Sequence, residues 1–222
     1  MAGPIEIAWF AAVGGAALYA LISQVSDHQR EGLGRIRRTP RATARDLRAG
    51  KPVRLRGRVE VDEGTALLRA PISGRECVGW RVTVTQSPGR GSSTILDTHE
   101  GTAFWVRDPT GRTLVRGRTI VWPEMTEVAR VGHFDAPDER FEQFLQQYQQ
   151  SLKGILFTRR TTFEEGVLVP GDQVAVAGLG ALDRSLPSEV HEGGYREEPG
   201  CPVVEPFAEG FVVVSNRARA LR

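Results

Sequence analysis

The chain has 222 residues and a formal net charge of +2 at pH 7, with 40% hydrophobic and 25% charged residues. This composition excludes a chain that is disordered throughout, and 25 glycines with 13 prolines favour many turns and short strands over a helical bundle. The two cysteines, Cys77 and Cys201, exclude a disulfide framework or a zinc site of four cysteines. The two cysteines can form one disulfide or stay as two reduced thiols, and reduced thiols in a cytosolic domain are the simpler interpretation.

The net charge is unevenly distributed. Residues 24–58 contain eleven Lys or Arg against three Asp or Glu, whereas residues 1–23 contain only one charged residue, Glu6. The remainder, residues 59–222, is net acidic. A nearly neutral total therefore hides a basic collar next to an acidic body.

The first 25 residues predict a transmembrane anchor. Ile7–Val25 is nineteen residues long without a charge, and as a helix it would span about 28 Å, close to the thickness of a bilayer core. Trp9 and Tyr19 lie near its ends, as interfacial aromatic residues do. A cleaved signal peptide would need basic residues in Met1–Glu6, which has none, and a buried helix of a soluble domain would show a polar face.

The arginines that follow the predicted span set its orientation. Positive charge favours the cytoplasmic side, so we expect the N-terminus outside and the C-terminal domain in the cytoplasm, at the inner membrane if the source is bacterial. Within the span, small residues recur every four positions, which allows a homo-oligomer through close helix packing or is simply an alanine-rich span. These residues are Ala8, Ala12, Ala16 and Ala20.

Residues 26–51 have no sustained apolar period and predict a basic juxtamembrane tether. Cations close to anionic headgroups contribute about 1 kcal/mol each, although the same residues can serve as a topology signal alone. The strand that follows adds three more arginines. The predicted lipid-facing set is Arg30, Arg35, Arg37, Arg38, Arg41, Arg54, Arg56 and Arg58.

Residues 52–222 predict a mainly β domain. In Pro52–Asp62 the apolar residues alternate with Arg54, Arg56 and Arg58, which indicates a half-buried strand, and Gly57 lies on the inward face, where a bulge or barrel corner needs it. Further short strands are predicted between turns, which is typical of an antiparallel barrel, OB-like, or of a sandwich. They lie at 65–70, 77–85, 103–107, 113–115, 118–122, 155–163, 173–178 and 211–215, with a loop over 183–202.

One amphipathic helix is inserted among these strands. Phe141, Phe144, Leu145, Tyr148 and Leu152 follow helical spacing. The pair Asp135 and Pro137 favours its start and Gly154 its end. We expect its five glutamines to form a solvated face.

Four segments resemble the GIDE domain, which is named for membrane-anchored E3 ubiquitin ligases. They are APISGRECVGWRVTV (70–84), FWVRDPTG (104–111), FEEGVLVPGDQVAVAG (163–178) and FVVVSN (211–216). Their order and spacing agree with that family over residues 53–216, after an N-terminal span. The resemblance implies a membrane-adjacent β domain with structural motif residues at Ser73, Cys77, Asp108, Gly111, Glu164, Gly171 and Asp172.

The chain departs from the ligases of that family. As printed it ends at Arg222 without a second span, and a RING needs eight zinc ligands, whereas two cysteines and four scattered histidines are present. The ligase chemistry is therefore not transferred. The resemblance leaves a recognition or scaffolding domain, as in short bacterial members of the family.

No catalytic constellation, cofactor motif or metal-ligand spacing is visible in the sequence. Cys77 has no nearby histidine and is interpreted as structural. Asp108 and Asp172 are interpreted as turn residues that accept backbone N–H groups. Glu164 and Glu165 are adjacent in a predicted strand, so their side chains point to opposite faces.

The leading hypothesis is a protein-interaction or scaffolding module at the membrane surface, with an unidentified protein partner. A transferase activity of the E3 type, supplied with chemistry by a second protein, is one alternative. A nucleic-acid-binding barrel that uses Arg54, Arg56 and Arg58 is another. Nucleic acid is disfavoured because the body is acidic and because Trp80, Trp105 and Trp122 are interpreted as core residues.

Overall fold

The computed structural model describes residues 32–87, 91–131, 139–148, 160–186 and 200–222. These ranges are mainly β and contain two helical segments, α1 (residues 32–38) and α2 (Glu139–Gln147). The strands are β1 (Pro52–Glu60), β2 (Leu68–Arg69), β3 (Glu76–Cys77), β4 (Gly79–Ser87), β5 (Ser93–Gly101), β6 (Phe104–Asp108), β7 (Gly111–Val115), β8 (Thr119–Val121), β9 (Thr126–Val131), β10 (Arg160–Leu168), β11 (Gln173–Asp183), β12 (Cys201–Glu205) and β13 (Val212–Ser215).

The predicted span Ile7–Val25, with its stripe of alanines, and Arg30 lie outside the described residues. In the part of the chain that is described, no helix has the length and apolar character needed to cross a bilayer.

Five strands close into a barrel in the order β1-β6-β7-β12-β11, with β11 pairing back to β1. The pairs are antiparallel except β7 with β12, which is parallel and so differs from the wholly antiparallel barrel that we expected. A parallel pair needs a long connection, and residues 116–200 separate these two strands. β13 and β8 extend the sheet beside β11 and form a second parallel pair.

β1 forms the corner of the barrel. Val53, Leu55 and Val59 point into the core, as their alternation predicted. The first seven residues of β1 pair with β11 and the last three with β6, so the strand changes neighbours next to Gly57. A Cβ at Gly57 would lie 2.2 Å from the carbonyl oxygen of Arg107. The predicted role of Gly57 at a barrel corner is confirmed, because only a residue without a side chain allows this approach.

A second sheet, in the order β5-β4-β10-β9, is antiparallel throughout. Helix α2 packs on it through Phe141, Phe144 and Leu145, which share a core with Phe163 of β10. The ring centroids of Phe141 and Phe163 are 4.6 Å apart. The inserted amphipathic helix is therefore confirmed in the described part, whereas both of its predicted ends lie outside that part.

Residues 32–51 pack against the barrel and thereby differ from the expected tether. Ile36, Ala44 and Leu47 are at most 6% exposed. The amide of Gly50 donates to the carbonyl oxygen of Gly180 at 2.8 Å. The segment buries single apolar residues from α1 and the following turns, and such isolated contacts leave no periodic pattern to detect. The folded domain therefore includes α1 and the turns that precede β1.

Strands β5 and β9 have no counterpart in the sequence prediction. Both are the outer strands of the second sheet, and neither buries one face completely, so their residues do not alternate. The strand predicted over 77–85 is broken at Val78, because Val78 packs in the barrel core and Trp80 in the second core. The predicted loop is shorter than expected, since β11 continues to Asp183 and β12 begins at Cys201.

Candidate functional site

In the part of the chain that the structure describes, the residues that line a cleft of about 440 Å³ are all arginines. The lining residues come from α1, from the segment after it, from β1 and from the C-terminal turn. They are Arg37, Arg41, Arg54, Arg219 and Arg222.

Backbone pairing places two of these arginines side by side. Arg41 forms a parallel bridge with Arg54, outside the regular strands. The amide of Ala42 donates to the carbonyl oxygen of Arg54 at 3.0 Å, and the amide of Arg54 donates to that of Pro40 at 2.7 Å. This short ladder pairs residues 40–42 with the edge of β1, and Arg54 is only 7% exposed and not on an open surface.

Packing of the chain ends brings in the remaining arginines. Ala220 is buried in the same core as Ile36 of α1, so the C-terminal turn lies against α1. Arg219 and Arg222 of this turn line the cleft together with Arg37 of α1. The guanidinium of Arg41 donates a hydrogen bond to the main-chain oxygen of Arg222, which ties the C-terminal turn to the segment after α1.

Among the described residues, no Asp or Glu side chain lines the cleft. The Nε of Arg54 is buried without a hydrogen-bond partner, as are the Nε and Nη2 of Arg56 on the same strand. Burial lowers the pKa of Arg54, and the charges of Arg41 and Arg56 lower it further. Burial followed by the charge of Arg41 also lowers the pKa of Arg56. The guanidinium groups therefore repel one another in a partly desolvated space.

The predicted lipid-facing arginines do not form one flat surface. Arg35 makes contacts within the domain. It forms an ion pair with Glu209, and its guanidinium carbon lies 4.4 Å from the ring centroid of Phe207. Arg37, Arg38, Arg41 and Arg58 are exposed, whereas Arg54 is buried and Arg56 is partly buried. Sequence reasoning did not find Arg219 and Arg222, because they are more than 160 positions from Arg54 and carry no motif of their own.

The motif residues lie in turns and strand ends. The carboxylate of Asp108 accepts the amides of Thr110 and Gly111 at 2.7 and 3.1 Å and that of Ala44 at 2.7 Å, so its predicted role as a turn residue is confirmed. Ser73 accepts the amide of Arg75 within the turn before β3.

The Pro170-Gly171-Asp172 segment forms the turn between β10 and β11. Gly171 has a positive φ of 94°, which favours glycine at this position. The Asp172 carboxylate accepts the amide of Val169 at 3.0 Å, and the Asp172 amide donates to the carbonyl oxygen of Val169. The predicted turn role of Asp172 is therefore confirmed.

Glu165, rather than the motif residue Glu164, is the buried carboxylate of β10. It is 4% exposed and accepts the amides of Ile72 and Ser73 at 2.9 and 3.1 Å. Cys77 is fully buried close by, and burial, with a smaller effect of the Glu165 charge, raises the pKa of its thiol. A thiol in that state is a poor nucleophile at neutral pH, which fits the structural interpretation of Cys77.

Replacement of Glu165 by Ala is expected to lower the free energy of unfolding by about 1–3 kcal/mol, because two backbone N–H groups lose their acceptor. Glu164→Ala, on the opposite face of the same strand, is the matched control and should change it by less than about 0.5 kcal/mol. Urea unfolding of the two variants followed by circular dichroism measures the difference. Equal losses in the two variants would contradict the assignment.

Trp105 lies on the outer face of the barrel and is half-buried, which corrects its interpretation as a core residue. Its indole N–H donates to Asp62 at 2.7 Å, and the guanidinium of Arg112 lies 4.4 Å from the ring centroid. Arg112 and Arg107 both form ion pairs with Glu60. The charged groups on this face of β6 and β7 are therefore paired with one another.

A second cavity of about 340 Å³ lies beside β5 and is lined in part by Asp97, His99 and Arg118. Burial, and then the charge of Arg81, lowers the pKa of His99 to about 4, so this imidazole is neutral at pH 7. Arg81 and Asp97 form a bidentate pair with Nε to Oδ1 and Nη2 to Oδ2 distances of 2.8 and 2.6 Å. Arg81 also lies 3.8 Å from the ring centroid of Trp122, which is buried as expected.

Among the described residues, no three or more His, Cys, Asp or Glu side chains are arranged to hold a metal ion. The fold and the cleft together define a mainly β protein with a closed five-stranded barrel and a concentrated cationic site. Comparison of the chain with protein-family models, with curated proteins and with solved structures finds no match. The resemblance to the GIDE domain thus stays a prediction.

Proposed function

We propose that this protein is a single-pass membrane protein whose β domain is a protein-interaction or scaffolding module held at the cytoplasmic surface. The observation that carries the proposal is the packing of residues 32–51 on the barrel. Only six residues, 26–31, then separate the predicted span from the folded domain. Even fully extended they reach no more than about 20 Å, so an anchored domain stays next to the bilayer.

Confinement to the membrane surface makes weak contacts sufficient for partner binding. A domain restricted to two dimensions meets an equally restricted partner at a high effective concentration. In chain order the five barrel strands are β1, β6, β7, β11 and β12. The first three are neighbours in the barrel, and the third pairs in parallel with the fifth, which is an OB-like arrangement. OB folds bind ligands on the face of their second and third strands, here β6 and β7. The paired charges on that face do not favour a phosphate backbone and so support a protein partner over nucleic acid.

Membrane extraction tests the anchor. The full-length protein is expected to stay in the pellet after an alkaline carbonate wash, whereas Ala16→Arg is expected to move into the supernatant. A charge near the centre of the span costs about 2.5–3.5 kcal/mol, and an alanine-rich span has little apolar excess to offset it. Ala16→Leu is the matched control and should stay in the pellet. Release of the unmodified protein by carbonate would overturn the proposed anchor.

Crosslinking in intact membranes tests the interaction role. A photo-crosslinking residue at Leu182, an exposed apolar side chain at the end of β11, reports neighbouring proteins. We expect a discrete adduct that disappears in the Ala16→Arg background, because confinement at the membrane is lost. An adduct that is equally abundant without the anchor would argue against a role of the membrane in partner binding.

A further inference from the structure

We infer that the arginine cleft is a binding site for a phosphate-bearing ligand that carries at least two negative charges. The inference goes beyond the proposed function, since it concerns a site within the domain and does not depend on whether the predicted span inserts. It rests on the composition of the cleft, on the missing acidic partners of its arginines and on its volume.

The five cleft arginines differ from four other arginines of the described structure. Arg81, Arg107, Arg112 and Arg116 each form ion pairs with carboxylates of the domain. None of the five residues that line the cleft is ion-paired with an Asp or Glu side chain of a described residue, and Arg41 donates a hydrogen bond to the main-chain oxygen of Arg222. The cleft therefore concentrates positive charge that no Asp or Glu side chain of the described residues balances.

Arg54 supplies the independent observation that points to a ligand. Arg54 is only 7% exposed, lines the cleft, and has a buried Nε with no hydrogen-bond partner among the described residues. An unsatisfied buried N–H is costly, and a charged one more so. The lowered pKa of Arg54 has the same cause, because burial and two neighbouring arginines both disfavour its charge. An anion in the cleft would relieve the repulsion and could accept hydrogen bonds from these guanidinium groups.

The residue type selects the chemistry of the ligand. Guanidinium groups present planar pairs of N–H donors that match the oxygens of phosphate in bidentate geometry, which an ammonium group cannot do. A single negative charge would leave most of the positive charge in the cleft unbalanced. At about 440 Å³ the cleft has the size of a small-molecule site, with room for a phosphate and the group attached to it. Two sources share this chemistry, a soluble phosphate compound and the headgroup of an acidic phospholipid.

The first experiment measures binding of inorganic pyrophosphate by the full-length protein in a nonionic detergent, using calorimetry. We expect saturable binding, weaker binding of orthophosphate, and an affinity that falls as salt rises. Arg54→Gln and Arg219→Gln are expected to weaken binding by about tenfold each, since each removes a charge-assisted hydrogen bond. Arg58→Gln is the matched control, because Arg58 is exposed on the same strand and does not line the cleft.

Two outcomes would overturn the inference. One is the absence of pyrophosphate binding at millimolar concentration in low salt. The other is binding that the two cleft variants and the control weaken to the same extent, which would indicate adventitious attraction to surface arginines. Arg219 is exposed, so its replacement tests the site even if Arg54→Gln unfolds the domain.

A second measurement distinguishes the two ligand sources. Pyrophosphate binding is repeated with the full-length protein in nanodiscs of neutral lipid, with and without phosphatidic acid. Competition by phosphatidic acid that is lost in Arg219→Gln would support a lipid headgroup as the ligand. Unchanged pyrophosphate binding in both nanodiscs would support a soluble phosphate compound. If the anchor fails the carbonate test while pyrophosphate still binds in the cleft, the proposed function falls and this inference stands.

Discussion

Replacement of Asp97 by Asn is expected to lower the free energy of unfolding by about 3–5 kcal/mol, the largest loss that we predict for a single polar substitution in this domain. Asp97 and Arg81 are only 4% and 5% exposed and are joined by two hydrogen bonds of 2.8 and 2.6 Å. Asparagine keeps the shape of the side chain but removes its charge. The guanidinium of Arg81 is then left buried against Trp122 without a counter-charge.

The physical reason for this large effect is the asymmetry of a buried pair. Removing one partner leaves the full desolvation cost of the other, whereas replacing both by apolar residues of similar volume is often neutral. The double variant Arg81→Met with Asp97→Leu should therefore recover most of the stability lost in Asp97→Asn. Chemical denaturation of the two variants and the unmodified protein measures both steps.

A matched control uses the pair of Arg116 and Glu205, which is also short, at 2.6 Å, but partly exposed. Glu205→Gln is expected to cost no more than about 1 kcal/mol, because solvent screens exposed ion pairs. If Asp97→Asn costs no more than this control does, the pair of Arg81 and Asp97 does not have the role that its burial implies.

Replacement of Gly57 by Ala is expected to cost about 3 kcal/mol, at the upper end of overpacking effects. The added Cβ would lie 2.2 Å from the carbonyl oxygen and 2.7 Å from the carbonyl carbon of Arg107, which are backbone atoms of β6. Backbone atoms cannot rotate away as a flexible side chain can. Strand β1 would have to move away from β6 at the corner where the barrel closes.

Gly34→Ala provides the contrasting control for this prediction. Gly34 lies in α1, and a Cβ there would meet only the flexible end of Arg38 at 3.7 Å, an ordinary contact. In a helix the change from glycine to alanine is expected to stabilise by up to about 1 kcal/mol. Opposite signs for the two substitutions in thermal unfolding would support the role of Gly57. Equal tolerance of alanine at both positions would contradict it.

The strands with one buried face could be predicted from the sequence. The alternation in β1 located the inward positions of Val53, Leu55 and Gly57, because side chains on a strand alternate and only one face meets the core. Strands β5 and β9 could not be found in this way, since neither has a fully buried face. The same alternation separates Glu164 from Glu165 but does not say which of them is buried, because that depends on what packs against each face of β10.

Only some residues of the candidate site could be singled out from the sequence. Arg41 and Arg54 stood out in the basic collar, but alternation alone placed Arg54 on an exposed face. In the structure Arg54 is buried, at the point where the segment around Arg41 pairs with β1. Nothing local to Arg219 or Arg222 indicates that they belong to the same site, because their position depends on the contact between Ala220 and α1.

The sequence by itself determined the mainly β character of residues 52–222, the corner at Gly57, the turns at Asp108 and Asp172 and the amphipathic helix. These features depend on side-chain periodicity and on backbone preferences within a few residues. Only the tertiary structure decided how the strands divide between a closed barrel and a second sheet and which carboxylates are buried. It also decided that five arginines from α1, the segment after it, β1 and the C-terminal turn line one cleft. The reason is that strand pairing and burial bring together residues far apart in the chain, and local sequence patterns do not predict those contacts.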